Sequence, residues 1–190
     1  IMEATKQLLG RLFQKPAGQS NHLIELAKEF VNEHLPDPTL DMALVSDHVG
    51  LSKIYFCRLF HKEEGVSFSN YLKLARIERA KQLLLQTNMK VFEISDAAGF
   101  SNAKYFGYVF KQEVGLTPLE FQILRLLMSR PGQVFSMVQI YEQVWKDVAL
   151  GSENTVAVHI RHLREKIEID PAHPRYLKVV WGLGYKMEQS

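Results

Sequence analysis

Residues 45–67 read VSDHVGLSKIYFCRLFHKEEGVS, and residues 94–117 repeat the same pattern as ISDAAGFSNAKYFGYVFKQEVGLT. The second copy carries one additional residue in the turn that follows its first glycine. The aligned pairs are Gly50 with Gly99, Ser52 with Ser101, Tyr55-Phe56 with Tyr105-Phe106, Phe60 with Phe110, and Gly65 with Gly115. The chain is therefore organised around one unit that occurs twice.

Each copy predicts a helix-turn-helix: a short apolar helix, a Gly-apolar-Ser turn, and a longer helix with a polar face. Glycine permits the sharp turn because it has no Cβ atom, and we expect the serine to cap the second helix. In the first copy these helices are expected at 41–49 and 52–64. A repeat of about 50 residues is also compatible with the start of a helical solenoid. Only two copies occur and their turns differ from solenoid turns, so duplicated DNA-reading units are the better interpretation.

Composition limits the class of protein. The 190 residues, 46% of them hydrophobic, suit one large domain or two small ones. The formal net charge is only +2, so any phosphate-binding surface must be local. The single cysteine, Cys57, excludes an internal disulfide framework. No apolar run approaches the roughly 20 residues of a membrane span, so we expect a soluble cytoplasmic protein without a membrane partner. Because the chain begins at Ile1, we interpret it as a fragment.

Helices are also predicted before and between the two copies. We interpret residues 1–20 as an N-terminal segment or linker, with a short amphipathic helix that breaks at 16–18. Asn21 is expected to cap a helix that runs to about Leu35. A helix over 67–86 would join the copies and span roughly 30 Å. That length is close to the ~34 Å between recognition helices on successive turns of one major groove.

The residues around both copies carry a family pattern. The matching positions are Phe60, Gly65, Ser67, Phe68, Tyr71, Leu72, Arg76, Ala80 and Leu84, then Ile94, Ala97, Gly99, Phe100, Tyr105, Phe106, Phe110, Gly115, Thr117 and Pro118. Over about residues 21–118 this pattern resembles the AraC/XylS family of transcription regulators. The resemblance implies a double helix-turn-helix DNA-binding domain.

After Pro118 the pattern changes. Helices are predicted at 119–128 (LEFQILRLLM), from Ser136 to Trp145, and at 154–167 (NTVAVHIRHLREKI). Residues 176–187 (YLKVVWGLGYKM) alternate around two glycines, which predicts a hairpin rather than a phosphate-binding loop. Three helices and a hairpin make a winged helix-turn-helix, so we expect a mostly α protein.

The motifs LTPLEF, VHIRHLREKI and WGLGYK are similar to those of the DNA-binding domain of OmpR/PhoB-type response regulators, over about residues 116–190. Domains of that family usually begin with a small antiparallel sheet, but here the preceding residues belong to the AraC-like pattern. Residues 115–121 (GLTPLEF) satisfy both patterns at once. We therefore expect one shared or continuous helix across the junction, which favours a recombined or engineered chimera.

A recognition helix needs bidentate or short polar side chains toward the bases and donors toward phosphate. In the first copy, Arg58 is the best base reader because a guanidinium pairs with both acceptors of guanine, and Ile54 can meet a thymine methyl. In the second copy we expect mostly phosphate contact, through Lys104 and Tyr108. The predicted DNA-facing residues of the two copies are Ser52, Lys53, Ile54, Cys57 and Arg58, and Ala103, Lys104, Gly107 and Tyr108. By resemblance, Ile54, Cys57 and Arg58 match the family's base-contacting positions.

In the winged part, DNA contacts are assigned by resemblance. They are Asn154, Ala157, His159, Arg161, His162 and Arg164 on the helix, with Trp181 and Lys186 on the wing. We expect Arg161 to contact a base, and His159 and Arg164 to hold phosphate. The family often has arginine where Trp181 stands, which weakens the case for insertion of the wing into the minor groove.

Alternative chemistries have little support in the sequence. His159 and His162, three residues apart, could ligate a metal, but no third ligand stands at a suggestive spacing, so we expect no metal site. Cys57 lacks the paired His and Asp of a nucleophilic site. The aromatic residues are expected in the core rather than stacked on single-stranded bases; they are Tyr55, Phe56, Phe60, Tyr105, Phe106 and Phe110.

The sequence therefore predicts a regulator of transcription that binds double-stranded DNA sequence-specifically, with recognition helices in the major groove. We expect neither enzymatic activity nor a cofactor. RNA polymerase and a second copy of the chain are further candidate partners. The alternative is a chimeric scaffold that folds but has no specific operator.

Overall fold

The computed structural model describes residues 17–151 and 154–188, and side chains from residue 21 onward. In this part the chain is mostly helical, as predicted. The elements are α1 (Ala17–His34), α2 (Met42–His48), α3 (Lys53–Glu64), α4 (Phe68–Gln86), α5 (Val91–Ala97), α6 (Ala103–Val114), α7 (Pro118–Ser129), α8 (Met137–Trp145), α9 (Asn154–Ile167), β1 (Leu177–Val180) and β2 (Gly184–Met187).

The first helix starts earlier than the sequence predicts. It begins at Ala17, so Asn21 lies inside α1 and the prediction that Asn21 caps it is wrong. The short helix predicted before residue 16 lies outside the described residues. The described part of the chain divides into two compact units, the first ending at Ala75 and the second beginning at Arg76. No helix in the described part of the chain is long and apolar enough to cross a membrane.

The first unit has an aromatic core. Phe56 and Phe60 of α3 pack edge-on against Phe68 of α4, with ring centroids 5.3 Å apart in both pairs. The α1 helix covers these rings with Ile24, Ala27 and Val31, which are fully buried. This packing fixes which face of α3 turns outward.

The second unit contains two cores, one under the second helix-turn-helix and one in the winged part. The first core is built on Leu84, Ile94, Phe106 and Phe110. The second is built on residues of α7 to α9 and the hairpin: Ile123, Leu127, Ile140, Val156, Ile160, Leu163 and Leu177.

The α7 helix contributes to both cores of the second unit. Phe121 packs edge-on against Phe110, with centroids 5.8 Å apart, and Arg125 donates a hydrogen bond to the Leu84 carbonyl. Ile123 and Leu127 of the same helix are fully buried in the winged core. The helix predicted at the junction is therefore shared between the two parts.

That helix is not continuous with the one before it. The α6 helix ends at Gly115, whose φ of 81° is left-handed, and Thr117 caps α7 by accepting a hydrogen bond from the Glu120 backbone N–H. A left-handed residue ends the helix because its backbone leaves the right-handed helical path, so the residues that follow cannot continue it. The alternative of one continuous helix is wrong.

The predicted core is confirmed for phenylalanine and wrong for tyrosine. Phe56, Phe60, Phe106 and Phe110 are buried, whereas Tyr55 and Tyr105 are 41% and 55% exposed. Each tyrosine directly precedes a buried phenylalanine, and successive helical side chains point about 100° apart.

The C-terminal strands form the predicted antiparallel hairpin. Tyr185 also pairs with Phe135, the residue before the cap of α8. A Cβ atom at Gly184 would lie 2.0 Å from the Phe135 carbonyl oxygen, so only glycine fits here. The WGLGYK motif thus lets β2 pack closely on the start of α8.

Candidate nucleic-acid interface

The exposed face of α3 carries the predicted residues of the first copy. Ser52 caps the helix, accepting a hydrogen bond from the Tyr55 backbone N–H at 3.4 Å. All of the predicted positions are exposed, and Ile54 is 70% exposed. They are Ser52, Lys53, Ile54, Cys57 and Arg58. His61, one turn after Cys57, is also exposed. Sequence reasoning missed it, although residues four apart in a helix lie on the same face.

In the second copy the cap is one residue later than predicted. Asn102, not Ser101, caps α6 by accepting a hydrogen bond from the Tyr105 backbone N–H at 2.9 Å. Leu51 and Phe100 donate the same backbone hydrogen bond after the two turns, to Ser46 and Ser95, so the additional residue of the second copy is Ser101 and Asn102 takes the place of Ser52. Asparagine accepts this bond as well as serine does.

The exposed face of α6 carries fewer kinds of polar side chain than that of α3. Ala103 and Lys104 are exposed and Tyr108 is 63% exposed, while Gly107 is partly buried. Lys111 is also exposed, one turn beyond Gly107, and was missed. The face therefore offers two ammonium groups and a phenol hydroxyl.

The outer face of α9 carries only part of the predicted set. Asn154 and Arg161 are exposed and Ala157 is partly buried. Thr155 and Val158 are exposed and were missed, although they lie opposite the core positions. The Arg161 Nε atom lies 3.0 Å from Glu165 Oε1, an exposed pair that contributes little stability and leaves the guanidinium available to a ligand.

Arg164 and Glu168 join α9 to the hairpin. The Arg164 Nε donates to the Leu177 carbonyl oxygen at 3.0 Å. The Glu168 carboxylate accepts backbone hydrogen bonds from Arg175, Tyr176 and Leu177 at 2.7–2.9 Å. Burial raises the pKa of Glu168, but these amides outweigh it and hold the pKa below its ordinary value. Arg164 thus turns inward, toward the hairpin.

Three more polar side chains meet on the inner side of α9. The Glu120 carboxylate, 3% exposed, accepts the Thr117 backbone N–H at 2.7 Å and lies 2.5 Å from Lys166 Nζ. His162 Nδ1 lies 3.8 Å from the other carboxylate oxygen. Burial raises the pKa of Glu120, but the hydrogen bonds from Lys166 and Thr117 outweigh it and lower the pKa overall. Sequence reasoning missed Glu120 and Lys166 because they lie 46 positions apart along the chain, and only the packing of α9 against α7 brings them together.

His159 lies beside this cluster rather than on the outer face. Its ring centroid is 5.4 Å from that of Trp145, and its Nδ1 is buried with no hydrogen-bond partner among the described residues. Burial lowers the pKa of His159, and nearby His162 and Lys166 lower it further against the attraction of Glu120. The imidazole is therefore neutral at neutral pH.

The tip of the hairpin is apolar and exposed. Trp181 is 90% exposed and Leu183 is 64% exposed. Lys186 on β2 is partly buried, and its Nζ lies 3.1 Å from Glu188 Oε2. Leu183 was missed, although it stands between the two turn glycines.

Comparisons with known proteins identify both parts. Residues 45–123 match the model of a helix-turn-helix domain, and residues 111–187 match that of the C-terminal domain of transcriptional regulatory proteins. An AraC-type DNA-binding domain protein from Chromobacterium violaceum is 31% identical, with a TM-score of 0.52, over 58% of this chain and 96% of that one. The chain belongs to the AraC-type family and also carries an OmpR/PhoB-type C-terminal domain. The two matched ranges overlap at 111–123, which contains the predicted shared segment.

Other relatives of this AraC-type chain are regulators. The C-terminal domain of the response regulator yesN from Fusobacterium nucleatum is 34% identical, with a TM-score of 0.50, over 52% of this chain and 95% of that one. Regulatory protein VanR of Enterococcus faecium is 45% identical over 83 residues, which are 43% of this chain and 36% of VanR. The chain thus spans about a third of the length of the curated relatives it matches.

Proposed function

We propose that the protein binds double-stranded DNA sequence-specifically and regulates transcription. The observation that carries this proposal is the face of α3, whose predicted contact residues are all exposed on the second helix of a helix-turn-helix. The opposite face is locked by buried Phe56, Leu59 and Phe60. The similarity to named transcriptional regulators supports the same function.

On α3 we assign base reading to Arg58 and Ile54. Arg58 can donate two hydrogen bonds to guanine, and Ile54 can contact a thymine methyl. Cys57 between them is small enough for the helix to approach the groove floor. Ser52 and Lys53, at the start of the helix, would hold phosphate.

On α6 we assign phosphate contact to Lys104, Tyr108 and Lys111. Ala103 and Gly107 carry no group that distinguishes bases, so this helix would position the protein more than it specifies sequence. The first copy would therefore discriminate between DNA sequences more strongly than the second.

On α9 the outer face of Asn154, Val158 and Arg161 would enter the groove. Asn154 can pair with adenine and Arg161 with guanine, and Val158 can meet a thymine methyl. His162, Ala157 and Lys186 stay proposed contacts at the edge of this surface. We assign Arg164 to positioning the hairpin, because its Nε is engaged by the Leu177 carbonyl. Trp181 and Leu183 would contact the sugar-phosphate backbone with their exposed apolar surfaces.

Two further partners follow from a regulatory role. RNA polymerase is the target of a protein that activates transcription, and a second copy of the chain would let it read a two-fold symmetric operator. Both are parts of the proposal.

The proposal is tested by selecting bound sequences from a random duplex library at two salt concentrations. We expect a recovered motif, with affinity that falls steeply as salt rises because phosphate contacts release counterions. Arg58→Ala and Arg161→Ala should each cost about 1–3 kcal/mol on that motif and relax specificity at one position. Arg130→Ala, which removes an exposed arginine after α7, is the matched control and should leave the motif unchanged.

The opposite results would contradict the proposal. Recovery of no motif, with weak binding lost at moderate salt, would support a chimeric scaffold without an operator. An unchanged affinity in both arginine variants would remove the assigned base readers.

A further inference from the structure

Two histidines and a carboxylate converge between α7 and α9. His159 and His162 lie one turn apart on α9, and Glu120 faces them from α7. One potential ligand atom from each of the three residues lies within 4.8 Å of the other two. Imidazole nitrogens and carboxylate oxygens are ordinary ligands of zinc. Glu120 thus stands close to both histidines, where the sequence spacing showed no third ligand.

We propose that His159, His162 and Glu120 bind a divalent transition metal ion of the zinc class, with water as the fourth ligand. The proposal does not rest on the proposed DNA-binding function: the site lies behind the outer face formed by Asn154, Val158 and Arg161, and it shares with the proposed contacts only His162 at the edge of that face. A bound ion would fasten α9 to α7.

The site has the features that a metal needs. His159 Nδ1 is buried and without a hydrogen-bond partner among the described residues, so a metal would satisfy an otherwise unpaired atom. In a tetrahedral site with bonds of about 2.1 Å, ligand atoms lie roughly 3.4 Å apart. His162, whose side chain is 42% exposed, has room for the rotation that closes the distance.

Lys166 competes with the metal for Glu120. Its ammonium group lies 2.5 Å from Glu120 Oε2, whereas Oε1 faces His162 at 3.8 Å. A metal on Oε1 would meet the positive charge of Lys166, and the long lysine side chain can swing its ammonium into water. Lys166 therefore lowers metal affinity without blocking the site.

The test uses the whole chain without a histidine tag, stripped of metal by chelation. Added Co²⁺ should produce the visible absorption of tetrahedral cobalt, and Zn²⁺ should compete for it and raise Tm. His159→Ala and His162→Ala should weaken binding about 100-fold. Lys166→Met should tighten it about tenfold, because a repelling charge is removed. His173→Ala, an exposed histidine beside Asp170, is the matched control and should bind like the parent.

The tightening in Lys166→Met separates a metal site from a merely structural cluster, because removal of a structural ion pair would not raise metal affinity. If His159→Ala does not fold, His162→Ala and Lys166→Met carry the test. Unchanged zinc affinity in His162→Ala, an equal loss in His173→Ala, or no cobalt absorption at about millimolar cobalt would overturn the proposal.

Discussion

The side chain of Glu120 joins the start of α7 to α9. Its carboxylate accepts the backbone N–H of Thr117, which closes the capping box of α7. The same carboxylate holds Lys166 of α9 at 2.5 Å and faces His162. A buried carboxylate is stable in ionised form only when such donors replace the water it loses.

The charge of Glu120 should make stability depend on pH. Because its folded-state pKa lies below the ordinary 4.5, its contribution is fully present above about pH 4.5 and is lost as pH falls through the folded pKa. Glu120→Gln keeps an acceptor for the cap but loses the charge, so we expect a cost of about 1.5–3 kcal/mol at pH 7. Urea unfolding in chelator at pH 7 and at pH 4 measures both effects, and the variant should lose less stability on acidification.

The control for this prediction is Glu165→Gln. Glu165 pairs with Arg161 on the exposed face of the same helix, so its replacement should change stability by no more than about 0.5 kcal/mol. Equal acid sensitivity of Glu120→Gln and the parent protein would contradict the role assigned to Glu120.

At the scale of elements, the two helix-turn-helix copies differ in how their second helices start. The first copy uses Ser52, and the second uses Asn102, which occupies the same position after the inserted Ser101. The cap accepts a hydrogen bond from the third backbone N–H of the helix, which otherwise has no partner. The insertion thus lengthens the turn, while both copies keep a capping side chain at the same position of the helix.

Asn102→Ala should therefore destabilise the second copy, whereas Ser101→Ala should not. We expect a cost of about 1 kcal/mol for the loss of the asparagine cap. Ser101 is exposed and lies one residue outside the cap, so its replacement should have an effect within about 0.5 kcal/mol. Thermal unfolding followed by circular dichroism compares the two variants, and an equal loss in both would mean that the serine shares the capping role.

At the scale of the whole molecule, α7 unites the second helix-turn-helix with the winged part. Phe121 contacts the first of their cores and Ile123 enters the second, so a single helix buries apolar surface in both. Cores that share a helix cannot lose their packing independently without exposing one of its faces.

We therefore expect a destabilising substitution in one core to lower the stability of the other. Leu84→Ala creates a cavity under the second helix-turn-helix, at a cost of about 2–5 kcal/mol. It should lower the urea midpoint reported by Trp145 fluorescence, measured in a Trp181→Phe background. When Phe121→Ala is added, the further shift caused by Leu84→Ala should shrink, because the bridging ring is gone. If Leu84→Ala left the urea midpoint reported by Trp145 fluorescence unchanged, the two cores would unfold separately.

Local sequence determined the helices, their turns and the hairpin of this AraC-type chain, because glycines, caps and apolar spacing act over a few residues. The stretch 154–167, for example, was predicted at the bounds that α9 has. The spacing of the apolar residues also predicted the outward face of α3, because the buried Phe56 and Phe60 lie on the opposite face.

Tertiary structure alone decided which polar side chains of α9 turn inward. The sequence pattern predicts His159, His162 and Arg164 as DNA contacts, and in the structure Glu120 and Leu177 also give His162 and Arg164 partners inside the unit. Those partners come from an earlier helix and a later strand, and only packing brings them close. The electrostatic environment of a side chain depends on distances in space, which spacing along the chain does not specify.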